Sequence, residues 1–170
     1  MSEIKNQPCM VCGKKASTLR EDEVDVPYFG RVFIFSMSCD ACGDHKADLE
    51  LATPKDPAQY TFEIQSEEDL SVKLVKSGEA TVKIPRIITM EPGPASEGFV
   101  TNIEGLLERV KKIIQSAADS EEEKDVKKKA KNLIKKLNNV ILGRDSLKII
   151  ISDPTGNSAI ISDKAQMKKL

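Results

Sequence analysis

All four cysteines of the chain fall in two identical steps, Cys9-Met10-Val11-Cys12-Gly13 and Cys39-Asp40-Ala41-Cys42-Gly43. A Cys-x-x-Cys step lets two thiolates converge on one tetrahedral ion, and the glycine after the second ligand lets backbone amides turn toward the sulfurs. Two such knuckles joined by one mid-length segment form the ligand set of a four-cysteine zinc ribbon. Cys9, Cys12, Cys39 and Cys42 are therefore the candidate ligands of one structural Zn2+. Four thiolates leave no open position for water or substrate, which argues against catalytic zinc. Iron in the same cage is the alternative by ligand type. Disulfides would suit a small secreted domain, but the start Met-Ser-Glu-Ile-Lys carries no secretory signal. A thioredoxin-like redox motif uses a single step at a strand-to-helix junction. Reduced, metal-bound thiols point to the cytoplasm.

A length of 170 residues holds one ordinary domain plus a small metal-stapled one. No apolar run approaches the length of a membrane span, so no membrane partner is expected. The net charge of −1 offers no global attraction to nucleic acid or anionic lipid. Aromatic residues are few, five Phe and two Tyr, yet Tyr28, Phe29, Phe33 and Phe35 all lie between the knuckles.

Residues 1–50 are expected to form the metal unit. Ser17 to Asp25 reads as a polar, charged stretch, and Val26-Pro27-Tyr28-Phe29-Gly30 as a turn. Arg31 to Ser38 reads as a strand rich in β-branched and aromatic residues that delivers Cys39. Its faces, Val32/Ile34/Ser36 and Phe33/Phe35/Met37, are both largely apolar. A unit this small can bury one of them, so the other must cover a neighbour or a partner.

Residues 51–170 are expected to form a second, mainly-β domain. Leu49 to Leu51, Tyr60 to Ile64, Ser71 to Val75 and Ala80 to Ile88 read as short strands, with Pro85 marking an edge or bend. Their spacing suggests a β-sandwich or open barrel. Helical signals interrupt them over about 101–142. Thr101 to Glu104 has capping-box form, with Thr101 as cap, and an apolar stripe runs from Ile103 to Ala117. A second capping box, Ser120 to Glu123, opens a helix whose stripe ends before Gly143. The pair predicts an antiparallel helical hairpin inserted between strands. Leu147 to Ile151, a turn at Asp153-Pro154-Thr155-Gly156-Asn157 and Ala159 to Ser162 return the chain to β-structure, the turn reading as a β-hairpin with Gly156 at positive φ.

Other chemistry is thin. His45 is the single histidine, three residues beyond the last cysteine, and reads as exposed or supporting rather than as a ligand. Its solitude removes most general acid–base schemes. Lys124, Lys127, Lys128, Lys129, Lys131, Lys135 and Lys136 crowd the second helix. They read as the solvated side of an amphipathic helix, with no aromatics among them to stack on bases. The Asp153 to Ser158 turn lacks the lysine and following helix of a phosphate loop. No catalytic constellation emerges, and the chain is not expected to be an enzyme.

The order of the pieces is more specific than any one of them. It comprises the two knuckles, the Val26 to Gly30 turn into an apolar strand, Gly98-Phe99-Val100-Thr101-Asn102-Ile103-Glu104-Gly105-Leu106-Leu107, and Asp153-Pro154-Thr155-Gly156-Asn157-Ser158. This series, spanning nearly the whole chain, resembles the zinc-finger ZPR family, in its single-module, archaeal-type form. The resemblance implies a zinc finger followed by a double-stranded β-helix (jelly-roll-like) domain carrying the helical hairpin. It implies that Cys9, Cys12, Cys39 and Cys42 are the zinc ligands. It also implies that Gly98, Glu104, Gly105, Asp153, Gly156 and Asn157 are structural signature positions. The implied partner is translation elongation factor 1-alpha, which family members bind and help to fold.

The expected function is thus a zinc-dependent protein-interaction module, with Tyr28, Phe29, Phe33 and Phe35 as the candidate partner surface. The alternative is RNA or other nucleic-acid binding through the ribbon and the lysine-rich helix, which predicts a steep salt dependence. A jelly-roll enzyme would need a histidine-based metal site that this chain cannot supply.

Overall fold

A computed structural model describes residues 1–170. The first sheet holds β1 (Ser2–Pro8), β2 (Lys15–Val26), β3 (Gly30–Cys39) and β4 (His45–Leu51) as an antiparallel meander in chain order. β2 is the stretch expected to be merely polar. Its carboxylates alternate between two faces, and the strand is held by ten aligned pairs with β3, from Ser17 opposite Cys39 to Val26 opposite Gly30. β4 also begins earlier than its apolar residues indicate, because His45 already pairs with Ser38.

The second domain contains two sheets. The five-stranded sheet runs in the order β12 (Gln166–Lys169), β5 (Ala58–Ile64), β10 (Leu147–Asp153), β7 (Thr81–Ile84) and β8 (Ile88–Met90). The three-stranded sheet runs β11 (Ala159–Ile161), β6 (Lys73–Lys76) and β9 (Phe99–Asn102). The expected strand Ala80 to Ile88 is two strands. Pro85 lies in the tight connection between them, which Arg86 turns at φ 65°. The expected hairpin at 153–158 is a corner between sheets, since β10 pairs with β5 and β7 while β11 pairs with β6. Gly156 does have positive φ, 72°, and a side chain there would run into the carbonyl oxygens of Lys55 and Asp56.

Strand alternation puts the three-stranded sheet between two cores. Leu74 and Ile160 face the main core, where they meet Phe62 and Ile64 of β5, Ile149 and Ile151 of β10, and Val82 and Ile84 of β7. Their neighbours Val75 and Ala159 face the other way and pack on Val26, Val32 and Leu49 of the first sheet and on Phe29 of its β2–β3 turn. Each fully buried aliphatic side chain at this seam contributes roughly 1.5–3 kcal/mol. One apolar face of β3 is thereby covered by the second domain.

The hairpin sits between β9 and β10 as α1 (Ile103–Asp119) and α2 (Lys124–Ile141). Buried Ile103, Leu106, Leu107, Val110 and Ile114 of α1, with Ala130, Leu137 and Val140 of α2, close the main core. The caps differ from expectation. Asn102, not Thr101, caps α1, its Oδ1 accepting from the Gly105 amide at 2.8 Å. Glu104 does not reach back and stays exposed in the first turn, where the helix dipole favours it. The Ser120 box does not form. Ser120 donates instead to the carbonyls of Ser116 and Ala117, finishing α1, and α2 starts from Glu123 without a side-chain cap. Gly143 ends α2 at φ 68°, with Arg144 N–H on Asn139 O and Gly143 N–H on Val140 O.

Candidate metal centre

The two knuckles are the β1–β2 and β3–β4 turns, and they are built alike. Cys9 N–H donates to Lys14 O at 2.9 Å and Gly13 N–H to Cys9 O at 2.9 Å. In the second knuckle Cys39 N–H donates to Asp44 O at 2.8 Å and Gly43 N–H to Cys39 O at 2.9 Å. Gly13 and Gly43 both take positive φ, 70° and 75°, which tightens the loops around the sulfurs. Asp40 N–H donates to Ala16 O at 3.0 Å and ties one knuckle to the base of the other.

This framework brings all four Sγ atoms within 4.8 Å of one another. Cys9–Cys42 and Cys12–Cys39 each stand 3.7 Å apart. A sulfur tetrahedron with metal–sulfur bonds of about 2.3 Å has edges of about 3.8 Å, whereas a disulfide needs about 2.05 Å. The donor set therefore fits a tetrahedral ion and contains no disulfide.

Electrostatics lead to the same fit. The Cys12 and Val11 amides pull the Cys9 thiol down to about 6. Burial pushes Cys39 up, but the Cys42 and Ala41 amides outweigh it and the thiol is lowered. The Asp44 amide pulls Cys42 down, yet burial and the other three sulfurs together push it up to about 12. Backbone donors thus favour thiolates until the negative charge becomes crowded, a conflict that a divalent cation relieves. His45 stands apart, exposed, with Nδ1 2.9 Å from Ser38 Oγ.

The candidate partner residues do not share one surface. Tyr28 caps the β2–β3 turn, wholly exposed, in the left-handed region at φ 65°. Phe29 is buried in the seam at 5% exposure, with Lys55 Nζ 4.0 Å above its ring and bonded to its carbonyl oxygen. It cannot face a partner. Phe33 and Phe35 lie on the outer face of β3, half-buried and exposed respectively. Two residues that the sequence reading missed, Ile4 and Leu19, join Phe35 and Met37 there. Ile4, Leu19 and Met37 line up across β1, β2 and β3, and they line a shallow cavity of about 340 Å³ with Phe35. The signal that would have found them is the pairing of β2 with β3, which is hidden because Leu19 stands among charged residues.

The signature positions lie away from the sulfurs, and two of them, Gly98 and Asn157, tie the jelly roll to the finger. Gly98 N–H donates to Ala47 O at 2.9 Å, and a Cβ on Gly98 would meet Asp48 Oδ1 at 2.6 Å. Asp48 Oδ1 accepts from Gly78 N–H, and Asn157 Oδ1 from Leu51 N–H. Asp153 is fully buried. Its carboxylate accepts from the Ser77, Ser158 and Thr155 hydroxyls and from the Thr155 amide.

The family model described as the ZPR1 zinc-finger domain matches residues 3–54, and that of the ZPR1 jelly-roll domain residues 68–169. An uncharacterised ZPR1-like protein of Methanocaldococcus jannaschii is 35% identical over 96% of this chain and 83% of its own length. One from Pyrococcus horikoshii is 34% identical over 100% of this chain and 78% of its own. The zinc finger chaperone zpr1 of Schizosaccharomyces pombe is 35% identical over 89% of this chain, which spans only 33% of that protein. The four cysteines are thus a zinc site on a zinc-finger domain joined to a jelly roll.

Proposed function

The chain belongs to the ZPR1 family, and from that membership we propose that it is a zinc-dependent binding module for a translation elongation factor 1-alpha homologue, assisting that factor's folding in the cytoplasm. The fission-yeast relative is named a chaperone, which supports a protein partner for this chain. The observation that carries the reading is the outer face of the finger sheet. Ile4 at 58%, Leu19 at 37% and Phe35 at 43% exposure leave an apolar surface open, with Tyr28 projecting at one end of the β2–β3 ladder. Apolar surface gathered on a sheet face and rimmed by Glu21, Glu23 and Glu50 is the pattern of a recognition surface. On this reading Tyr28, Phe33 and Phe35 touch the partner, while Phe29 supports the turn from beneath. Zinc holds the sheet that displays them, and no residue acts as a catalyst.

The test is direct binding of the zinc-loaded protein to its own elongation factor 1-alpha homologue, with GDP and with a GTP analogue. Submicromolar binding that disappears on zinc removal is expected. Absence of binding in both nucleotide states, with the protein folded and zinc-loaded, overturns the reading. Nucleic-acid binding through the α2 lysines is disfavoured by the net charge of −1. It would show as a steep loss of affinity with salt.

A further inference from the structure

A cleft of about 570 Å³ opens on the jelly roll, between α1, β8 and the 91–97 loop. Its volume is that of a ligand site, and Met90, Leu106 and Ile113 make part of its lining apolar. Two cations stand on its helical wall, Arg109 and Lys112, three residues apart on α1 and so on one side of the helix. Both are exposed, and neither has a carboxylate within ion-pair distance. Arg109 is nevertheless held in place. Its guanidinium lies 4.3 Å from the centre of the Phe99 ring, which leaves the planar fork of N–H donors free for another group.

The opposite wall is fixed as well. Lys76 is buried at 5% exposure, and its ammonium donates to Ser77 O at 2.9 Å, Glu97 O at 3.1 Å and Ser96 Oγ at 3.4 Å. All three of its protons are used within the chain, so Lys76 positions the loop rather than binding a ligand.

Three features select the occupant. Stacked arginine beside an unpaired lysine suits one planar anionic group, and the apolar lining suits an aliphatic side chain next to it. β8 is the end strand of its sheet, hydrogen-bonded only to β7, so its other side offers unpaired backbone groups to an added strand. We propose that this cleft binds an extended peptide segment that carries a carboxylate beside an aliphatic residue, the carboxylate held by Arg109 and Lys112 and the backbone added to the free side of β8. This site is separate from the finger and does not depend on its partner.

The experiment is selection of a random heptapeptide display library on the zinc-loaded full chain, in parallel with the Arg109→Ala/Lys112→Ala variant. Binding of the enriched peptides, resynthesised, is then measured by titration. Both substitutions are at exposed positions and should leave the fold intact, which far-UV circular dichroism checks. The expected result is an acidic–aliphatic motif enriched on the native chain alone. Its affinity should fall at least about tenfold in the double variant, and Arg109→Lys should lie between, because it keeps the charge but not the fork. Amide exchange at Ile88, Thr89 and Met90 should slow on binding. No enriched motif, the same motif on both proteins, or equal affinity for the Asn/Gln counterpart overturns the proposal. Competition by inorganic phosphate as strong as by the peptide would show a simple anion site and overturn it too.

Discussion

At the residue scale, Tyr28 and Asp153 illustrate opposite uses of local energy. Tyr28 keeps a bulky side chain at φ 65° with no packing in return, since it is fully exposed. A non-glycine residue in that region costs on the order of 1–3 kcal/mol. Tyr28→Gly should therefore raise stability by about 1 kcal/mol in urea melts while weakening partner binding. Unchanged binding would remove Tyr28 from the contact surface. Asp153 does the reverse, storing stability in a buried carboxylate. Burial alone would raise its pKa, but the Ser158, Thr155 and Ser77 hydrogen bonds outweigh it and hold the carboxyl below 3.8. Because the folded pKa is the lower one, the stabilisation is complete above the unfolded value and is lost as pH falls toward the folded one. Asp153→Asn should cost roughly 2–3 kcal/mol at pH 7 and flatten the loss of stability below about pH 4. An unaltered acid limb would assign acid sensitivity to other carboxylates.

At the scale of elements, the helices were legible because their apolar stripes repeat with the helical period over 17 and 18 residues. Their starts were less so. Thr101 and Asn102 both belong to the capping residue types, and which of them caps depends on where β9 releases the chain. Pairing of Lys73 with Asn102 carries β9 through Thr101, which shifts the cap by one residue. Asn102→Ala should therefore destabilise by about 1 kcal/mol and Thr101→Ala by distinctly less, read from thermal or urea melts. A larger loss for Thr101→Ala would return the cap to Thr101. β2 was illegible for a different reason. Its inward residues Asp22, Val24 and Val26 and its outward residues Leu19, Glu21 and Glu23 do not separate apolar from polar. The strand exists because β1 and β3 pair with it on both sides.

At the scale of the molecule, the finger and jelly roll are distinct cores that share a seam. The main core contains no residue of the first sheet, while the second core joins Val26, Phe29, Val32 and Leu49 to Val75 and Ala159. Removing zinc should abolish amide protection across β1 to β4 yet leave it in β5, β7 and β10. Loss of protection in both regions together would mean that the seam couples them into one cooperative unit.

The sequence by itself determined the zinc site, the helical hairpin and the alternation of the strands. Each is a local pattern: two thiols three residues apart, a helical repeat, a period of two. Only the tertiary structure decided which apolar face was covered. Phe29 and Phe35 are equivalent as residues in a strand-and-turn segment, but Val75 and Ala159 stand over one and nothing in the chain stands over the other. The Asp153 turn was likewise recognisable as a turn, and its role as a corner depended on β11 finding β6 rather than β10. Such choices are made between segments far apart in the chain, where spacing carries no information and the burial of surface decides.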